Sequence, residues 1–348
     1  MKKLFLFTFA ALTLAACNNS SNKENLSGAG ATFPQPFYNI VFKNYTETAG
    51  NKITYGAVGS GAGIKNLQDK TVDFGATDVF LSDEELKEMK GDIIHVPTAL
   101  GAVVLSYNLP GIKDLKLTAE VISDIYRGKI TNWSDEKIKA LNPELQLPDK
   151  AITAVYRSDG SGTTYVFSDY MSKADENWKN EIGTGKSLKI TIGMSAKGNP
   201  GVAGVVAKTE GSIGYIGSEY ALAVDIPSAL IKNSAGNFIS ANTNSISASA
   251  NTDIPNDTRL MITNSSNPEA YPISTFTWII VYKEQAYNDR SENKAKSLVG
   301  LLNYIISPAG QEVAAKIHFA PLPANVVEKT KVNINSISFN GKAIDVSK

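Results

Sequence analysis

Two stretches of the chain are apolar at almost every position, and they limit the folds that the sequence can adopt. Residues 99–107 read ALGAVVLSY and residues 276–282 read FTWIIVY, and each stretch follows a proline by a few residues. A strand that is apolar on both faces must be covered on both faces, as in the centre of an α/β sheet. The two stretches are either ordinary central strands or, in a sharper interpretation, the two crossings between two lobes.

From Leu26 onwards, β-type runs alternate with segments that have the apolar periodicity of helices, which predicts an α/β fold. In the two-lobe interpretation, residues 26–98 and 273–348 form one lobe and residues 99–272 form the other. The polar stretch 233–258 is predicted to be a surface excursion of the second lobe. The predicted strands are 52–58, 73–76, 101–107, 151–156, 212–216 and 276–282. The predicted helices are 35–48, 63–68, 83–89, 119–127, 163–170, 203–209, 294–306 and 310–317.

The N-terminal segment indicates export. Residues 1–17 read MKKLFLFTFAALTLAAC, in which Lys2 and Lys3 precede a mostly apolar run at 4–16. Because this run is too short to span a bilayer comfortably, it predicts a secretory signal peptide over residues 1–16. The alternative, a buried N-terminal helix, is disfavoured by the two leading lysines.

Residues 14–17 (LAAC) resemble a bacterial lipobox. The resemblance implies cleavage before Cys17 and acylation of this cysteine, which would then serve as a membrane anchor. Residues 18–25 (NNSSNKEN) contain no apolar side chain and are predicted to be a flexible tether. Residues 17–25 are therefore expected to be a lipidated cysteine followed by a flexible linker.

The composition excludes several classes of protein. The chain has 34 Lys and Arg against 34 Asp and Glu, so no excess positive charge exists for a nucleic-acid partner bound by bulk electrostatics. One Cys and two His leave no zinc or iron–sulfur framework. Loss of Lys2 and Lys3 with the signal peptide leaves a mature chain with about two net negative charges. Any affinity for an anion must therefore be local.

Three glycine-rich turns with hydroxyl groups stand immediately before predicted helices. They are residues 28–33 (GAGATF), 59–63 (GSGAG) and 159–163 (DGSGT). A helix N-terminus carries unpaired amides and a partial positive charge, and glycine lets a ligand approach the backbone, so each turn is a candidate oxyanion site. Alternatively, Ser161 or Thr163 simply caps its own helix. The sequence alone leaves both interpretations open.

Cofactor motifs do not fit these glycines. A dinucleotide fingerprint would need glycine where Phe33 or Ile64 stands, and a phosphate-binding loop at 183–187 would need its first glycine at Asn180. No nucleotide cofactor is therefore expected.

Two charged residues make the anion site more specific. Arg157 ends a predicted strand just before the third turn, where its planar guanidinium can face a bound oxyanion, and Asp159 is placed to orient it. Asp78 ends the segment 72–78 (VDFGATD), and a carboxylate beside an anion helps only if the ligand carries a proton to donate.

Taken together, these segments resemble the phosphate-binding proteins of bacterial high-affinity phosphate ABC transporters. The resemblance runs from about Leu26 to the C-terminal region. It implies the type II periplasmic-binding-protein fold, in which two lobes joined by two crossing strands close over one phosphate. The matching segments are residues 28–34, 59–61, 72–78 and 157–163, with further similarity at 125–133 and 211–216.

The resemblance also implies a site, carried over residue by residue. One side of the phosphate would meet the backbone of the first turn, the Thr32 hydroxyl and Ser60, and the other side would meet Arg157 and the third turn, while Asp78 accepts the phosphate proton. The second turn departs slightly from the family, with glycine and alanine where relatives often have serine. The implied ligand-binding residues are Ala31, Thr32, Phe33, Ser60, Asp78, Arg157, Ser161, Gly162 and Thr163, with Asp159 behind Arg157.

The implied partners are a membrane permease with a cytoplasmic ATPase, and a membrane reached through the lipid on Cys17. We expect an exported monomer in the periplasm or on the cell surface, with no cofactor, no metal and no enzymatic activity. A secreted phosphatase that uses Ser161 is a second hypothesis, disfavoured because His95 and His318 lie in apolar surroundings. A receptor for sulfate or molybdate is a third, and Asp78 argues against it.

Overall fold

The computed structural model describes residues 24–345, so the predicted signal peptide, Cys17 and residues 18–23 of the tether lie outside the described residues. The strands are β1 (Leu26–Gly30), β2 (Ile53–Ala57), β3 (Phe74–Thr77), β4 (Ile93–Tyr107), β5 (Lys116–Leu117), β6 (Thr153–Arg157), β7 (Met194–Ala196), β8 (Ser212–Gly217), β9 (Leu230–Lys232), β10 (Phe238–Ile239), β11 (Ser274–Tyr282), β12 (Ser338–Phe339) and β13 (Lys342–Ala343). The helices are α1 (Gln35–Ala49), α2 (Ser60–Gln68), α3 (Asp83–Glu88), α4 (Ala119–Tyr126), α5 (Glu136–Leu141), α6 (Gly162–Ala174), α7 (Glu176–Glu181), α8 (Gly198–Lys208), α9 (Ser218–Ala223), α10 (Thr243–Ser249), α11 (Glu292–Ile306), α12 (Pro308–Lys316) and α13 (Ala324–Asn335).

The two apolar stretches form the long central strands β4 and β11. The main sheet has the strand order β2-β1-β3-β11-β4-β8-β6-β7. β4 pairs antiparallel with β11 up to Ala102 and then with β8 from Val103 onwards, so this single strand belongs to both halves of the sheet. All nine residues of β11 are buried, as the continuous apolar pattern predicts.

Parallel strands stand on both sides of this centre and position the site. β1 lies between β2 and β3 in one half, and β6 lies between β7 and β8 in the other, with every one of these pairs parallel. Each of the six strands leads into a helix at its carboxyl end. Ligands of open α/β sheets bind in the crevice outside the carboxyl ends of such strands.

Aromatic side chains anchor both halves. Phe33 follows β1, is fully buried and meets Phe319 edge-to-face with ring centroids 5.7 Å apart. In the other half, Phe167 of α6 stacks on Tyr215 of β8 at 4.4 Å. The loops after β1 and β6 are thereby attached to rigid layers, which limits the freedom of the residues that they present.

Every strand and helix predicted above overlaps one in the structure, but several bounds differ: β4 begins at Ile93 rather than at 101, and α6 ends at Ala174 rather than at 170. α8 begins at Gly198 rather than at 203, because the helix starts on the polar Gly-Asn-Pro segment ahead of its apolar run. The stretch 233–258 is not merely a surface excursion. It contains α10, whose Ile246 is 1% exposed, and α10 packs against β4 and β11.

Candidate functional site

The turns that follow β1, β2, β3 and β6 meet in one buried cleft. Their polar side chains are almost completely covered: Thr32 is 4% exposed, Asp78 is 1% exposed and Arg157 is 6% exposed. Burial of polar groups at this level is costly unless they are hydrogen-bonded or serve a ligand. The predicted site residues that the structure brings together here are Thr32, Ser60, Asp78, Arg157, Asp159, Ser161, Gly162 and Thr163.

The turn after β1 is held by groups behind it. Ala31 donates its amide hydrogen to the carbonyl of Ala76 on β3 at 2.9 Å, and its own carbonyl accepts from the Tyr55 hydroxyl at 2.7 Å. The Tyr220 hydroxyl donates to the carbonyl of Thr32. Both polar backbone groups of Ala31 are therefore engaged with the protein.

The turns before α2 and α6 touch each other across the cleft. The Gly61 amide donates to the Gly160 carbonyl at 3.0 Å, and the Gly162 amide donates to the Ser60 hydroxyl oxygen at 3.0 Å. A Cβ atom on Gly162 would stand 2.6 Å from Ser60 Oγ and 2.8 Å from the Cβ of Asp78. Glycine is required at this position because any side chain would push the two sides of the cleft apart.

Arg157 is held by one partner and has spare donor capacity. Its Nε and Nη2 atoms donate to the two carboxylate oxygens of Asp159 at 2.8 and 2.6 Å, while its buried Nη1 atom has no hydrogen-bond partner. Asp159 also accepts from the Gly198 amide at 3.0 Å. Burial works to raise the pKa of Asp159, but the hydrogen bonds and charge of Arg157 outweigh it and hold the pKa below its usual range. Asp159 thus stays ionised and fixes the guanidinium.

The carboxyl group of Asp78 is a much weaker acid than an ordinary aspartic acid. Burial raises its pKa to about 7, against the opposing effects of a hydrogen bond from Thr277, the positive charge of Arg157 and a weak hydrogen bond from Thr163. The Thr277 hydroxyl donates to Asp78 Oδ1 at 3.0 Å, and the Thr163 hydroxyl lies 3.5 Å from Oδ2. With such a pKa, both the protonated and the ionised form of Asp78 are accessible near neutral pH, so the group can share a proton with a ligand.

The capping interpretation of the third turn is correct for Ser161, which is the N-cap of α6. Its hydroxyl oxygen accepts from the Thr164 amide at 3.0 Å. A hydroxyl group that accepts one hydrogen bond still has its own hydrogen to donate. Capping and ligand binding are therefore compatible at Ser161.

Several residues of the cleft were not predicted. Asn199, at the start of α8, is fully buried and links Thr32 to Thr163. Thr277 is the one threonine in the stretch 276–282 (FTWIIVY) of β11, and this break in the apolar pattern was the available signal for it. Glu219 Oε2 is buried without a hydrogen-bond partner, and burial raises the Glu219 pKa to about 8, with the charge of Asp78 adding to the effect.

The described residues offer neither a membrane-spanning helix nor a cluster of metal ligands. Within residues 24–345, the helices are all too short or too polar to cross a bilayer. The same residues contain no group of three or more His, Cys, Asp or Glu arranged to hold a metal ion.

Comparison with known proteins identifies the family. A family model described as a PBP superfamily domain matches residues 17–309. The phosphate-binding protein PstS of Haemophilus influenzae is 36% identical over 335 residues, which cover 95% of this chain and 96% of that protein. PstS of Xylella fastidiosa is 38% identical over 309 residues, which cover 87% of this chain and 83% of that protein. The chain therefore belongs to the PBP superfamily and, within it, to the PstS phosphate-binding proteins.

Solved structures agree with the fold. A putative phosphate ABC transporter substrate-binding protein from Clostridium perfringens, with bound phosphate, has a TM-score of 0.64 at 22% identity and covers 86% of this chain and 100% of its own. A high-affinity periplasmic phosphate-binding protein, PfluDING, has a TM-score of 0.72 at 22% identity, with coverages of 93% and 96%. The expected two-lobed periplasmic-binding-protein fold is confirmed.

Proposed function

We propose that this protein binds inorganic phosphate outside the cytoplasmic membrane and delivers it to an ABC transporter for import. One observation carries the proposal. In a chain of the PstS family, Arg157 with its unpartnered Nη1 shares a buried cleft with the carboxyl group of Asp78. Arg157 supplies positive charge for a tetrahedral oxyanion, and Asp78 accepts a hydrogen bond that only a protonated oxyanion can donate.

This pair accounts for selectivity. Phosphate keeps at least one proton at neutral pH, whereas sulfate keeps none. An ionised Asp78 therefore gains a hydrogen bond from phosphate and only repels sulfate, so that the wrong ligand is rejected by the site itself. Micromolar binding requires about 8 kcal/mol, which a few charge-assisted hydrogen bonds in a closed cleft supply.

The roles of the individual residues are part of the proposal. The hydroxyl groups of Thr32, Ser60, Ser161 and Thr163 donate to phosphate oxygens, and the backbone of Thr32, Phe33 and Gly162 lines the same site. The carry-over from the family also includes Ala31, but its amide hydrogen is donated to Ala76. We therefore assign Ala31 the task of fixing the turn rather than that of a primary donor.

Binding rather than catalysis is the proposed activity. The relatives described above are named as binding proteins. The candidate nucleophile Ser161 caps α6, and the ring nitrogen Nε2 of His95 accepts a hydrogen bond from the Leu81 amide at 3.1 Å. Each of these groups already has a structural task, which disfavours the phosphatase hypothesis.

The proposal includes the location and division of the chain. Export through the signal at residues 1–16 and a lipid on Cys17 would keep a monomeric receptor beside its permease and ATPase. We assign residues 26–98 and 273–348 to one lobe and residues 99–272 to the other. The change of β4 from pairing with β11 to pairing with β8 after Ala102 supports this division.

Isothermal titration tests the proposal. The mature chain, stripped of phosphate by unfolding and refolding, is titrated with phosphate and then with sulfate and molybdate in the same buffer. We expect tight one-to-one binding of phosphate and no heat with sulfate. No phosphate heat from a folded protein would contradict the proposal, and tighter binding of another anion would reassign the site. Release of phosphate from a chromogenic ester, with and without divalent metal, tests the enzymatic alternative.

A further inference from the structure

Asn199 joins the two sides of the cleft by four hydrogen bonds, three from its side chain and one from its backbone amide, although no part of it reaches solvent. Its Nδ2 atom donates to Thr32 Oγ1 at 2.9 Å and to Thr163 Oγ1 at 3.0 Å, and its Oδ1 atom accepts from the Gly217 amide at 2.9 Å. Its backbone amide also donates to Thr32 Oγ1 at 3.0 Å.

The direction of these hydrogen bonds follows from chemistry. The backbone amide of Gly217 can only donate, so the side-chain atom that faces it must be the amide oxygen of Asn199. The amide nitrogen then faces the two threonines and gives one hydrogen to each. Both threonine oxygens are therefore acceptors in these contacts.

This arrangement decides what the threonines can offer to a ligand. A hydroxyl group has two acceptor lone pairs and one hydrogen, and Thr32 Oγ1 already accepts two hydrogen bonds from Asn199. Its hydrogen must point elsewhere. Thr163 Oγ1 likewise accepts from Asn199, and its hydrogen is free for Asp78 Oδ2 or a ligand.

We propose that Asn199 is a positioning residue that turns the hydroxyl groups of Thr32 and Thr163 into hydrogen-bond donors toward a bound oxyanion. The inference rests on the proposed function, since the ligand is the phosphate assigned above. Asn199 does not itself touch the ligand. It contributes to affinity because hydroxyls that are already oriented lose no rotational freedom when the anion binds.

A double-mutant cycle tests the inference. Phosphate affinity is measured by titration for the parent, Asn199→Ala, Thr163→Val and the double variant, together with thermal unfolding without phosphate. We expect Asn199→Ala to weaken binding about tenfold to a hundredfold. In the Thr163→Val background, Asn199→Ala should reduce phosphate affinity by a factor at least about threefold smaller than it does in the parent. The reason is that one of the two hydroxyl groups that Asn199 orients is then absent.

Asn142→Ala is the matched control. Asn142 is also a buried amide, 1% exposed, and it makes hydrogen bonds to Lys116 and to the Ile138 carbonyl away from the cleft. We expect it to lower the unfolding temperature and leave phosphate affinity unchanged. If Asn199→Ala reduces phosphate affinity by the same factor, within about twofold, in the parent and in Thr163→Val, the inference is wrong, although the proposal that the protein binds phosphate is unaffected. No phosphate binding by the parent would overturn both.

Asn199→Asp provides a second readout should the alanine variant not fold. It keeps the side-chain volume and an acceptor for Gly217, but an ionised carboxylate accepts hydrogen bonds from the threonines and reverses their direction. We expect Asn199→Asp to bind phosphate more weakly than the parent does. The Kd of the variant divided by the Kd of the parent should decrease as the pH is lowered from 7 to 5, because protonation of the introduced carboxylate restores one hydrogen-bond donor toward the threonines. A ratio independent of pH would contradict the inference.

Discussion

The turns after β1, β2 and β3 bring hydroxyl groups and the carboxyl group of Asp78 into the cleft, whereas the turn after β6 brings the guanidinium of Arg157 and the N-terminus of α6. In the proposed site, the first side thus supplies Asp78, the group assigned to distinguish among anions, and the second supplies Arg157, the group assigned to attract all of them. A site divided in this way separates affinity from selectivity, and it is complete only when both sides meet.

Arg157→Ala is expected to have the largest effect. It removes the only side chain with a full positive charge that we assign to the ligand and leaves Asp159 behind. Loss of one partner of a buried, hydrogen-bonded charge pair costs about 2–5 kcal/mol, so titration should show at least about thirtyfold weaker binding of phosphate. Residual binding of any oxyanion should weaken in the same proportion.

The control is Arg259→Ala, which removes the same charge from a residue that pairs with Asp83 and Asp257 instead. Its phosphate affinity should match the parent's. A similar loss in both variants would mean that overall charge, rather than the position of Arg157, governs binding.

Gly162→Ala tests whether the two sides must meet. The added Cβ atom would stand 2.6 Å from Ser60 Oγ and 2.8 Å from the backbone nitrogen of Asp78, so the sides must separate. We expect phosphate binding to weaken about tenfold or more, because each charge-assisted hydrogen bond lengthens. Gly204→Ala, where nothing lies within 4 Å of the new atom, serves as the control and should bind normally. Equal affinities in the two variants would show that contact between the turns is unnecessary.

Asp78→Asn is expected to change selectivity more than affinity. The amide no longer repels sulfate, so the preference for phosphate over sulfate should narrow by about tenfold or more in competition calorimetry. An unchanged preference for phosphate over sulfate in Asp78→Asn would contradict the proposal that Asp78 rejects unprotonated anions.

The pH dependence of the parent sharpens this test. Because burial raises the pKa of Asp78 to about 7, the carboxyl group becomes neutral below that pH. Sulfate should therefore compete better at pH 5 than at pH 8 in the parent. In Asp78→Asn, sulfate competition should vary less with pH over this range.

Glu219→Gln is expected to have the smallest effect on phosphate binding. It tests whether any buried carboxyl group close to Asp78 affects binding or whether only Asp78, which we assign to the ligand, does so. Burial raises the Glu219 pKa to about 8 from 4.5, so between these values the native state holds a proton that the unfolded state has lost. The native state binds more protons there, and this group therefore lowers stability as the pH rises.

Removal of the carboxyl group removes that dependence. The free energy of unfolding of Glu219→Gln, relative to the parent, should increase from pH 4 to pH 8 by roughly a few kcal/mol in chemical denaturation. Phosphate affinity should stay within about twofold. Parallel stability profiles for the two proteins would mean that Glu219 is ionised in the fold.

Much of the cleft could be predicted because its residues lie at sequence features with a local physical meaning. Arg157 ends a strand, Asp78 follows another, and the glycine turns precede helices, so strand and helix ends alone place them on the same edge. The central positions of β4 and β11 follow equally from their continuous apolar pattern.

The remaining residues could not be predicted because their roles arise from contacts between distant parts of the chain. Asn199 meets Thr32 across 167 positions, and nothing in its own segment indicates a buried amide. Thr277 meets Asp78 across 199 positions, and it is one of several hydroxyl-bearing residues in a strand that is buried throughout. Glu219 lies on the short helix α9, which the sequence pattern did not reveal.

The position of β11 also has a consequence for the order in which the molecule can assemble. β3 and β4 are consecutive in the sequence, but β11 lies between them in the sheet, and β11 begins only at Ser274. During synthesis, the half of the sheet that contains β1–β3 has no neighbour to join until most of the chain has been made. Pairing of such distant segments is slow, and here it must wait until β11 has been made. A chain that remains open until its late strand emerges is suited to crossing a membrane first and folding afterwards.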